Sequence, residues 1–333
     1  MIEPTYQDDE VTLYLADCLD VLPQLEAGSV DAVVTDVPYY EITNNDWDRQ
    51  WKNRSEYIEW IGALASEWER VTVDNGSIFI FCDEMMEAYV QVELDKLFQL
   101  INKIVWFKRN NLPIKNAHLL RSFAPVTERA LFYGKHNNGV QNFATLIKQA
   151  REQKGLSAKQ VAELGGFYGN VNHGGIVSNW ESGYSIPSFD QWEQLVTILG
   201  IYAKEYGALC RPFNADAKTL DVIEYPVVNG KDNTEHPTTK PSRLMRRITS
   251  VITNANQIVL DCCMGSGTTG VACAQLGRRF IGVEIDPRYF EIAKSRIIQA
   301  RRQLNLFSTS REDRSETPCS QLSLLSNGKS DKE

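Results

Sequence analysis

The sequence predicts an α/β protein whose mainly parallel sheet is interrupted by an all-helical insert. Short runs rich in β-branched and aromatic residues alternate with segments of helical period over residues 10–140. The same alternation returns over residues 257–304, whereas residues 143–200 have the spacing of several short helices. Two separate stretches of the chain therefore build one sheet, and the helical segment lies between them in sequence.

The individual elements follow from these periodicities. Short β-branched runs predict strands, and apolar residues three and four apart predict amphipathic helices. We expect strands at 11–15, 32–35, 77–81, 104–107, 130–133, 257–260 and 279–283. We expect helices on the sheet at 55–71, 84–97, 268–276 and 287–304, and helices in the insert at 143–155, 157–164 and 188–200.

The composition is that of a globular protein. The chain has 333 residues, 43% of them hydrophobic and 23% charged, which suits two modest domains and excludes a fibrous protein. No apolar run approaches the roughly 20 residues of a membrane-spanning helix, and the N-terminus does not resemble a signal peptide, so we expect a cytoplasmic protein without a membrane partner. The cysteines are scattered apart from the pair Cys262–Cys263, which predicts reduced thiols and no metal site.

The net charge of −8 combines two unlike parts of the chain. Residues 1–95 hold 22 carboxylates and four basic residues, whereas the remainder carries a net charge of +10. Residues 96–127 contain six basic residues and no carboxylate, a concentration that suits phosphate binding, with a solvated cationic loop as the alternative. The candidates for phosphate contact are Lys108, Arg109, Lys115 and Arg121.

A glycine turn joins the strand at 257–260 to the helix at 268–276. Gly265 and Gly267 let a ligand approach the backbone, and the free amide groups of the helix attract a negative group. Glu284 ends the next strand, 19 residues after Gly265, where a carboxylate suits ribose hydroxyls. The segment predicts a nucleoside-containing cofactor, with a tight turn alone as the alternative. Its candidate residues are Asp261, Gly265, Ser266, Gly267, Thr268 and Glu284.

Asp261 indicates which cofactor binds. A carboxylate at the strand end repels a pyrophosphate, but it attracts the ammonium and sulfonium groups of S-adenosylmethionine. The electrostatics therefore favour S-adenosylmethionine over a nicotinamide dinucleotide.

A second strand ends in an acidic tetrapeptide. Residues 29–35 are mainly apolar and β-branched, and the sequence Asp-Val-Pro-Tyr follows at 36–39. Ligands of open α/β sheets bind beyond the carboxyl ends of the strands, so we expect Asp36 to share a cleft with Asp261.

The tetrapeptide and the glycine loop together resemble the motifs of the DNA amino-methyltransferases, in the permuted group whose catalytic motif precedes the cofactor loop. The sequence His-Pro-Thr-Thr-Lys-Pro at 236–241 is similar to a further signature of that family, and the likeness covers nearly all of 10–142 and 213–300. The resemblance implies a Rossmann-like, S-adenosylmethionine-dependent methyltransferase sheet. With the helical insert and the polar tail, it divides the chain into a catalytic half at 1–142, the insert at 143–212, a cofactor-binding half at 213–305 and a disordered tail at 306–333.

The resemblance also implies roles for single residues. In the family, the acidic side chain of the motif and the next backbone carbonyl accept the amino hydrogens of a base flipped out of the duplex. The implied catalytic residues are Asp36, Val37, Pro38 and Tyr39, with Tyr39 stacking on the base. Asp17 would contact the cofactor adenine, Glu284 its ribose, and Asp261 with the glycine loop its methionine part, with Lys240 nearby.

The implied reaction is methylation of adenine N6, because aspartate at the first motif position is commoner in the adenine enzymes of the family. Cytosine-N4 methylation is the alternative. Val37 and Cys263 depart from the proline and phenylalanine that the family usually has, so a catalytically inactive DNA-binding regulator is the alternative of another class.

The helical insert is similar to the helix-turn-helix domain of phage repressors. It has Lys-Gly-Leu-Ser at 154–157 and Trp-Glu-Ser-Gly at 180–183, but the glycine-rich stretch 165–175 is longer than a tight turn. We expect the insert to recognise double-stranded DNA in the major groove, with a packed spacer or dimerisation unit as the alternative. The candidate contacts are Asn172, His173, Ser178 and Asn179. A homodimer, a cognate restriction endonuclease as partner, and a bacterial or phage origin stay open.

Overall fold

Nine strands form one mixed sheet in the part of the chain that the structure, a computed structural model, describes. That part comprises residues 2–40, 50–109, 123, 125–135, 139–167, 175–201, 206–209, 211–228 and 239–312. The strands are β1 (Tyr6–Gln7), β2 (Val11–Leu15), β3 (Val30–Asp36), β4 (Thr72–Cys82), β5 (Phe98–Phe107), β6 (Thr127–Lys135), β7 (Val222–Glu224), β8 (Ile258–Asp261) and β9 (Arg279–Glu284). Their order across the sheet is β1-β2-β9-β8-β3-β4-β6-β5-β7, which confirms the α/β fold class.

The direction of the strands agrees with the expected parallel sheet, with one addition. β2, β9, β8, β3 and β4 run parallel, and β6 is reversed, antiparallel to both β4 and β5. A further reversed strand, β1, pairs with β2 at the edge of the sheet. The sequence could not show β1 or β7, because two or three residues are too few to display a period.

Helices cover both faces of the sheet. They are α1 (Cys18–Val21), α2 (Arg54–Val71), α3 (Glu87–Leu94), α9 (Ser242–Ile252), α10 (Thr268–Leu276) and α11 (Pro287–Glu312), with a 3₁₀ turn at Leu22–Gln24. Val34 of β3 faces a core shared with α9, α10 and α11, and Val33 faces a second core shared with α2 and α3. Because the central strands are buried on both faces, their sequences are nearly continuous apolar runs. None of the described helices is long and apolar enough to cross a membrane.

The described residues between β6 and β7 form helices α4 (Gly139–Gln153), α5 (Ala158–Gly165), α6 (Gly175–Glu181), α7 (Phe189–Leu199) and α8 (Tyr206–Leu209). These helices bury Phe143, Trp180 and Trp192 in a core separate from the two cores of the sheet. Ser157 caps α5 and Ser188 caps α7, each in a capping box with the glutamine three residues later.

The last helix is longer than the sequence analysis predicts. α11 continues to Glu312, although we expected it to end near residue 304 and the disordered tail to begin at 306. Composition marks where a segment lacks apolar residues, but an existing helix adds one hydrogen bond for each further residue and so extends at little cost. Residues 313–333 lie outside the described part of the chain.

Gly267→Ala should destabilise the protein more than Gly277→Ala. Both glycines have left-handed φ values, 75° and 66°, so a Cβ strains the backbone at either position. A Cβ at 267 would also lie 2.7 Å from the Cβ of Ala293 on α11, whereas nothing lies within 4 Å at 277. We expect Gly267→Ala to cost a further 1–3 kcal/mol, roughly, in the free energy of unfolding by urea. Equal losses would contradict a close contact between α11 and the loop.

Candidate active site

The parallel pairing of β3 with β8 brings two distant motifs to one edge of the sheet. Val33 pairs with Leu260, so β3 and β8 both end at this edge, with Asp36 and Asp261 as their last residues. The Thr35 hydroxyl donates a hydrogen bond to Asp261 Oδ1 at 2.9 Å across the two strands. Asp36 and the glycine loop therefore lie on the same side of the sheet.

Asp36 is engaged through both of its carboxylate oxygens. The Tyr39 hydroxyl donates to Oδ1 at 3.0 Å, and Lys240 Nζ donates to Oδ2 at 2.5 Å. Lys240 also lies 3.3 Å from the Tyr39 hydroxyl and is only 6% exposed. The Pro38 carbonyl accepts a hydrogen bond from Tyr57 of α2 at 3.2 Å, so the backbone of the tetrapeptide is anchored next to Asp36. The side chain of Val37 is buried.

Burial and the carboxylate of Glu128 shift the pKa values of Asp36 and Lys240. Burial raises the pKa of Asp36 above its ordinary value; Lys240 opposes the shift, and Glu128 adds to it. Burial would lower the pKa of Lys240, but the two carboxylates outweigh it and raise that pKa. The ammonium therefore stays charged, and the Asp36 carboxylate is more basic than an exposed aspartate.

Glu128 belongs to the site, although no motif in the sequence pointed to it. It is the second residue of β6 and lies within the stretch 10–142 that resembles the DNA amino-methyltransferases, which was the available signal. Its Oε1 lies 3.1 Å from Lys108 Nζ, and its Oε2 lies 3.7 Å from Lys240 Nζ. The ammonium of Lys108 also lies 5.3 Å from the centre of the Trp106 ring. This placement favours a role for Lys108 in holding Glu128 over a contact with phosphate.

The glycine loop is held by groups on both sides of it. The Gly265 amide donates to Glu284 Oε2 at 2.8 Å, and the Asp286 amide donates to the other oxygen at 2.9 Å. Burial raises the pKa of Glu284, although these amide bonds oppose the shift. The hydroxyls of Thr239 and Ser266 lie 3.2 Å apart. The segment that carries Lys240 is thereby joined to the loop.

The glycines of the loop serve packing as well as conformation. Arg296 of α11 donates to the carbonyl of Ser266 and lies 3.4 Å from the hydroxyl of Thr268. Thr268 is itself buried, and the close contact of Gly267 with Ala293 explains why no side chain fits at 267. α11 fills the space that a Cβ at 267 would take, so packing as well as backbone conformation requires glycine there, and the role of both glycines toward a ligand stays a prediction.

Asp261 is a buried carboxylate whose hydrogen-bond donors, among the described residues, are uncharged hydroxyls and amides. It is 2% exposed and accepts hydrogen bonds from the Thr35 hydroxyl and, at 3.2 Å, from the Cys263 amide. Burial raises its pKa to about 7, although hydrogen bonds from Thr269 and Thr35 oppose the shift. A positively charged ligand group would lower this pKa again, so the site suits a cation.

Asp17 acts as a helix cap at the same edge. Its Oδ1 accepts a hydrogen bond from the Leu19 amide at 2.9 Å, and the side chain is exposed. The preceding amide, of Ala16, donates to the Glu284 carbonyl at 3.0 Å, so Asp17 follows the end of β2 and lies beside the end of β9. The thiol of the neighbouring residue Cys18 hydrogen-bonds the pair Cys262–Cys263. The sequence does not indicate this contact, because the residues are far apart in the chain.

The candidates for DNA contact have different surroundings. Arg109 is 74% exposed and lies 3.2 Å from Glu224, whereas Lys108 is largely buried beside Glu128. Ser178 and Asn179 are exposed on α6. Outside the described residues lie Lys115, Arg121, Asn172, His173 and the first three residues of the signature at 236–241.

Comparison with known proteins identifies the family. A family model described as DNA methylase matches residues 30–295, which is most of the chain. The chain belongs to the DNA methylase family. The Type II methyltransferase M1.MboII of Moraxella bovis is 26% identical to this DNA methylase over 286 residues, which are 83% of this chain and 92% of that protein.

Two further matches cover most of the same chain. The DNA adenine methyltransferase YhdJ of Escherichia coli (strain K12) is 24% identical over 298 residues, which are 89% of this chain and 85% of that protein. The crystal structure of the M1.HpyAVI–SAM complex matches with a TM-score of 0.53 at 25% identity, covering 86% of this chain and 98% of that chain. This DNA methylase therefore shares both its fold and most of its length with members of the family.

Asp261→Asn should stabilise the ligand-free DNA methylase more strongly at pH 8 than at pH 5. The folded-state pKa of about 7 lies above the ordinary 3.8, so the folded state holds a proton that the unfolded state loses between those values. Stability therefore falls as the pH rises through this window, and asparagine, which mimics the protonated acid, removes the loss. We expect a gain on the order of a few kcal/mol at pH 8, measured by urea unfolding. A constant difference between the two proteins from pH 5 to pH 8 would contradict the raised pKa.

Proposed function

We propose that this DNA methylase transfers a methyl group from S-adenosylmethionine to N6 of adenine in double-stranded DNA. The observation that carries the proposal is the Asp36 carboxylate at the end of β3, beside the glycine loop and already binding a nitrogen donor, Lys240. The relative YhdJ is a DNA adenine methyltransferase, which supports the choice of base, and the bound SAM of the M1.HpyAVI complex supports the choice of cofactor.

The residues at the sheet edge suit S-adenosylmethionine. Asp261 offers a buried negative charge to a cationic group, and the Glu284 carboxylate, held by the amides of Gly265 and Asp286, keeps further lone pairs for hydroxyl groups. Helix α10 begins after Gly267 and offers its first amides to a carboxylate. When bound, the cofactor supplies an electrophilic methyl group on a positively charged sulfur.

Asp36 makes the target amine a nucleophile. The lone pair of an exocyclic amine is delocalised into the base, so its hydrogens must be drawn out of the ring plane before nitrogen can attack. Asp36 and the backbone carbonyl of Val37 accept these two hydrogens, and positioning supplies much of the rate. As the nitrogen–carbon bond forms, the carbon–sulfur bond breaks, and the proton that nitrogen loses passes to Asp36, whose raised pKa favours the transfer. Tyr39 stacks on the flipped base.

The chain order supports the permuted arrangement of the family. Asp36 lies on β3, early in the chain, and the cofactor loop follows β8, near its end. Residues 1–142 and 213–305 thus form one methyltransferase domain on a shared sheet. A homodimer and a cognate restriction endonuclease stay predictions.

The insert at 143–212 serves target recognition in this proposal. Its helices bury a separate core around Trp180, so they form a packed unit distinct from the cores of the sheet. The capped helix α5 and the following α6 suit a helix-turn-helix, and α6 exposes Ser178 and Asn179 on one side while it buries Val177 and Trp180 on the other.

Asp36→Ala should abolish methylation and leave cofactor binding intact. The substitution removes the acceptor of one amino hydrogen, so we expect a loss of at least about 100-fold in methyl transfer to genomic DNA. DNA from an expressing host is digested to nucleosides and analysed by mass spectrometry, with N6-methyladenine expected for the wild type. Asp31→Asn, at the opposite end of the same strand, is the control and should keep the modification. N4-methylcytosine would overturn the choice of base, and no modified base at all would overturn the function.

Alanine at both Ser178 and Asn179 should weaken recognition without affecting the cofactor. Two lost groove contacts at roughly 1–3 kcal/mol each predict at least about a thirtyfold lower affinity for the site that the enzyme methylates, with an unchanged Kd for S-adenosylmethionine. Gln194→Ala, an exposed position on α7, is the matched control. Gel-shift titrations use a DNA duplex that contains the site found methylated in the expressing host. If the double variant bound this duplex as tightly as the control, a recognition role for α6 would be contradicted.

A further inference from the structure

Lys240 occupies the acceptor that the proposed function assigns to the target amine. Its Nζ donates to Asp36 Oδ2 at 2.5 Å, while the Tyr39 hydroxyl occupies Oδ1. The ammonium and the amine of a base are both nitrogen donors, so they compete for the same carboxylate. Each carboxylate oxygen can accept a second hydrogen bond, but the base amine gains the full negative charge of Asp36 only when the ammonium of Lys240 moves away.

Glu128 offers the displaced ammonium a second position. Its Oε2 is buried, makes no hydrogen bond within the described residues, and lies 3.7 Å from Lys240 Nζ, just beyond hydrogen-bond distance. Its Oε1 is fixed by Lys108 at 3.1 Å. A buried acceptor without a hydrogen bond costs free energy in this state, and a shift of Nζ by about 1 Å would satisfy it.

The surroundings confine Lys240 to these two carboxylates. The rings of Phe81 and Tyr39 lie with their centres 5.0 Å and 5.4 Å from Nζ, and the side chain is almost fully buried. A buried ammonium is stable only when it is paired. An exchange of partner from Asp36 to Glu128 keeps the charge paired throughout, whereas a move into solvent would require the lysine to leave its pocket.

We propose that Glu128 is a positioning residue that receives Lys240 from Asp36 when the target base enters, so that the lysine acts as a latch on the catalytic carboxylate. The inference rests on the proposed function, because the entering amine is what displaces the latch. Glu128 stabilises the base-bound state more than the free state, since Lys240 has Asp36 as a partner only in the free state.

A double-mutant cycle tests the latch. Glu128→Gln removes the charge but keeps the shape, and it should lower kcat/KM for DNA by about tenfold, the effect of one charge-assisted hydrogen bond, with KM for S-adenosylmethionine unchanged. In a Lys240→Met background the same substitution should change kcat/KM by less than twofold, because no ammonium remains to be received. Glu87→Gln is the matched control: Glu87 is as little exposed as Glu128, but it pairs with Lys103 at 3.0 Å and with Arg129, not with Lys240.

The outcomes separate the latch from the proposed function. A tenfold loss that persists in the Lys240→Met background would mean that Glu128 acts structurally, and it would overturn the latch while methylation stands. Wild-type activity in Glu128→Gln, with thermal unfolding like that of the wild type, would overturn it as well. Absence of methyl transfer from the wild-type protein would overturn the proposed function, and the latch with it.

Discussion

The parallel pairing of β3 with β8 is the constraint on which the site depends. Thr35 and Asp261 are 226 positions apart in the chain, yet their side chains share a hydrogen bond. The helical insert lies between these strands in sequence, and its helices pack around a separate core, so β3 and β8 pair directly despite the insertion. Contacts of such long range form at a large loss of chain entropy, which the two apolar cores of the sheet must offset.

The site concentrates negative charge at the edge where the strands end. Asp36, Asp261, Glu284 and Glu128 all lie in partly or fully buried surroundings, and Lys240 is the cation that lies closest to Asp36 among the described residues. Backbone amides and hydroxyls donate most of the other hydrogen bonds that stabilise these carboxylates. Such a site repels phosphate and attracts nitrogen donors and cations. The chemistry therefore differs from that of a dinucleotide site with the same glycine pattern, and Asp261 is the residue that marks the difference.

Local periodicity was sufficient to predict the long elements and the motifs at their ends. The strands from β2 to β9 that exceed three residues, the capping serines of the insert and the loop at 265–268 all leave a pattern within a few neighbouring residues. Residues that are distant in sequence and meet only in the folded protein leave no such local pattern. The contact of Gly267 with Ala293 and the pairing of Lys240 with Asp36 depend on how distant elements pack, so the sequence named these residues but not what they touch.

Charge in the sequence also differs from charge at the surface. Lys108 and Arg109 are neighbours in a stretch without carboxylates. Both follow the end of β5, but their side chains differ in exposure. Lys108 reaches inward to Glu128, whereas Arg109 is mostly exposed beside Glu224, and both are paired. A count of basic residues therefore overstates the positive surface that this segment offers to a phosphate backbone. An enzyme with a net negative charge and paired cations near its site must gain more of its DNA affinity from specific contacts, for which we propose the exposed polar face of α6.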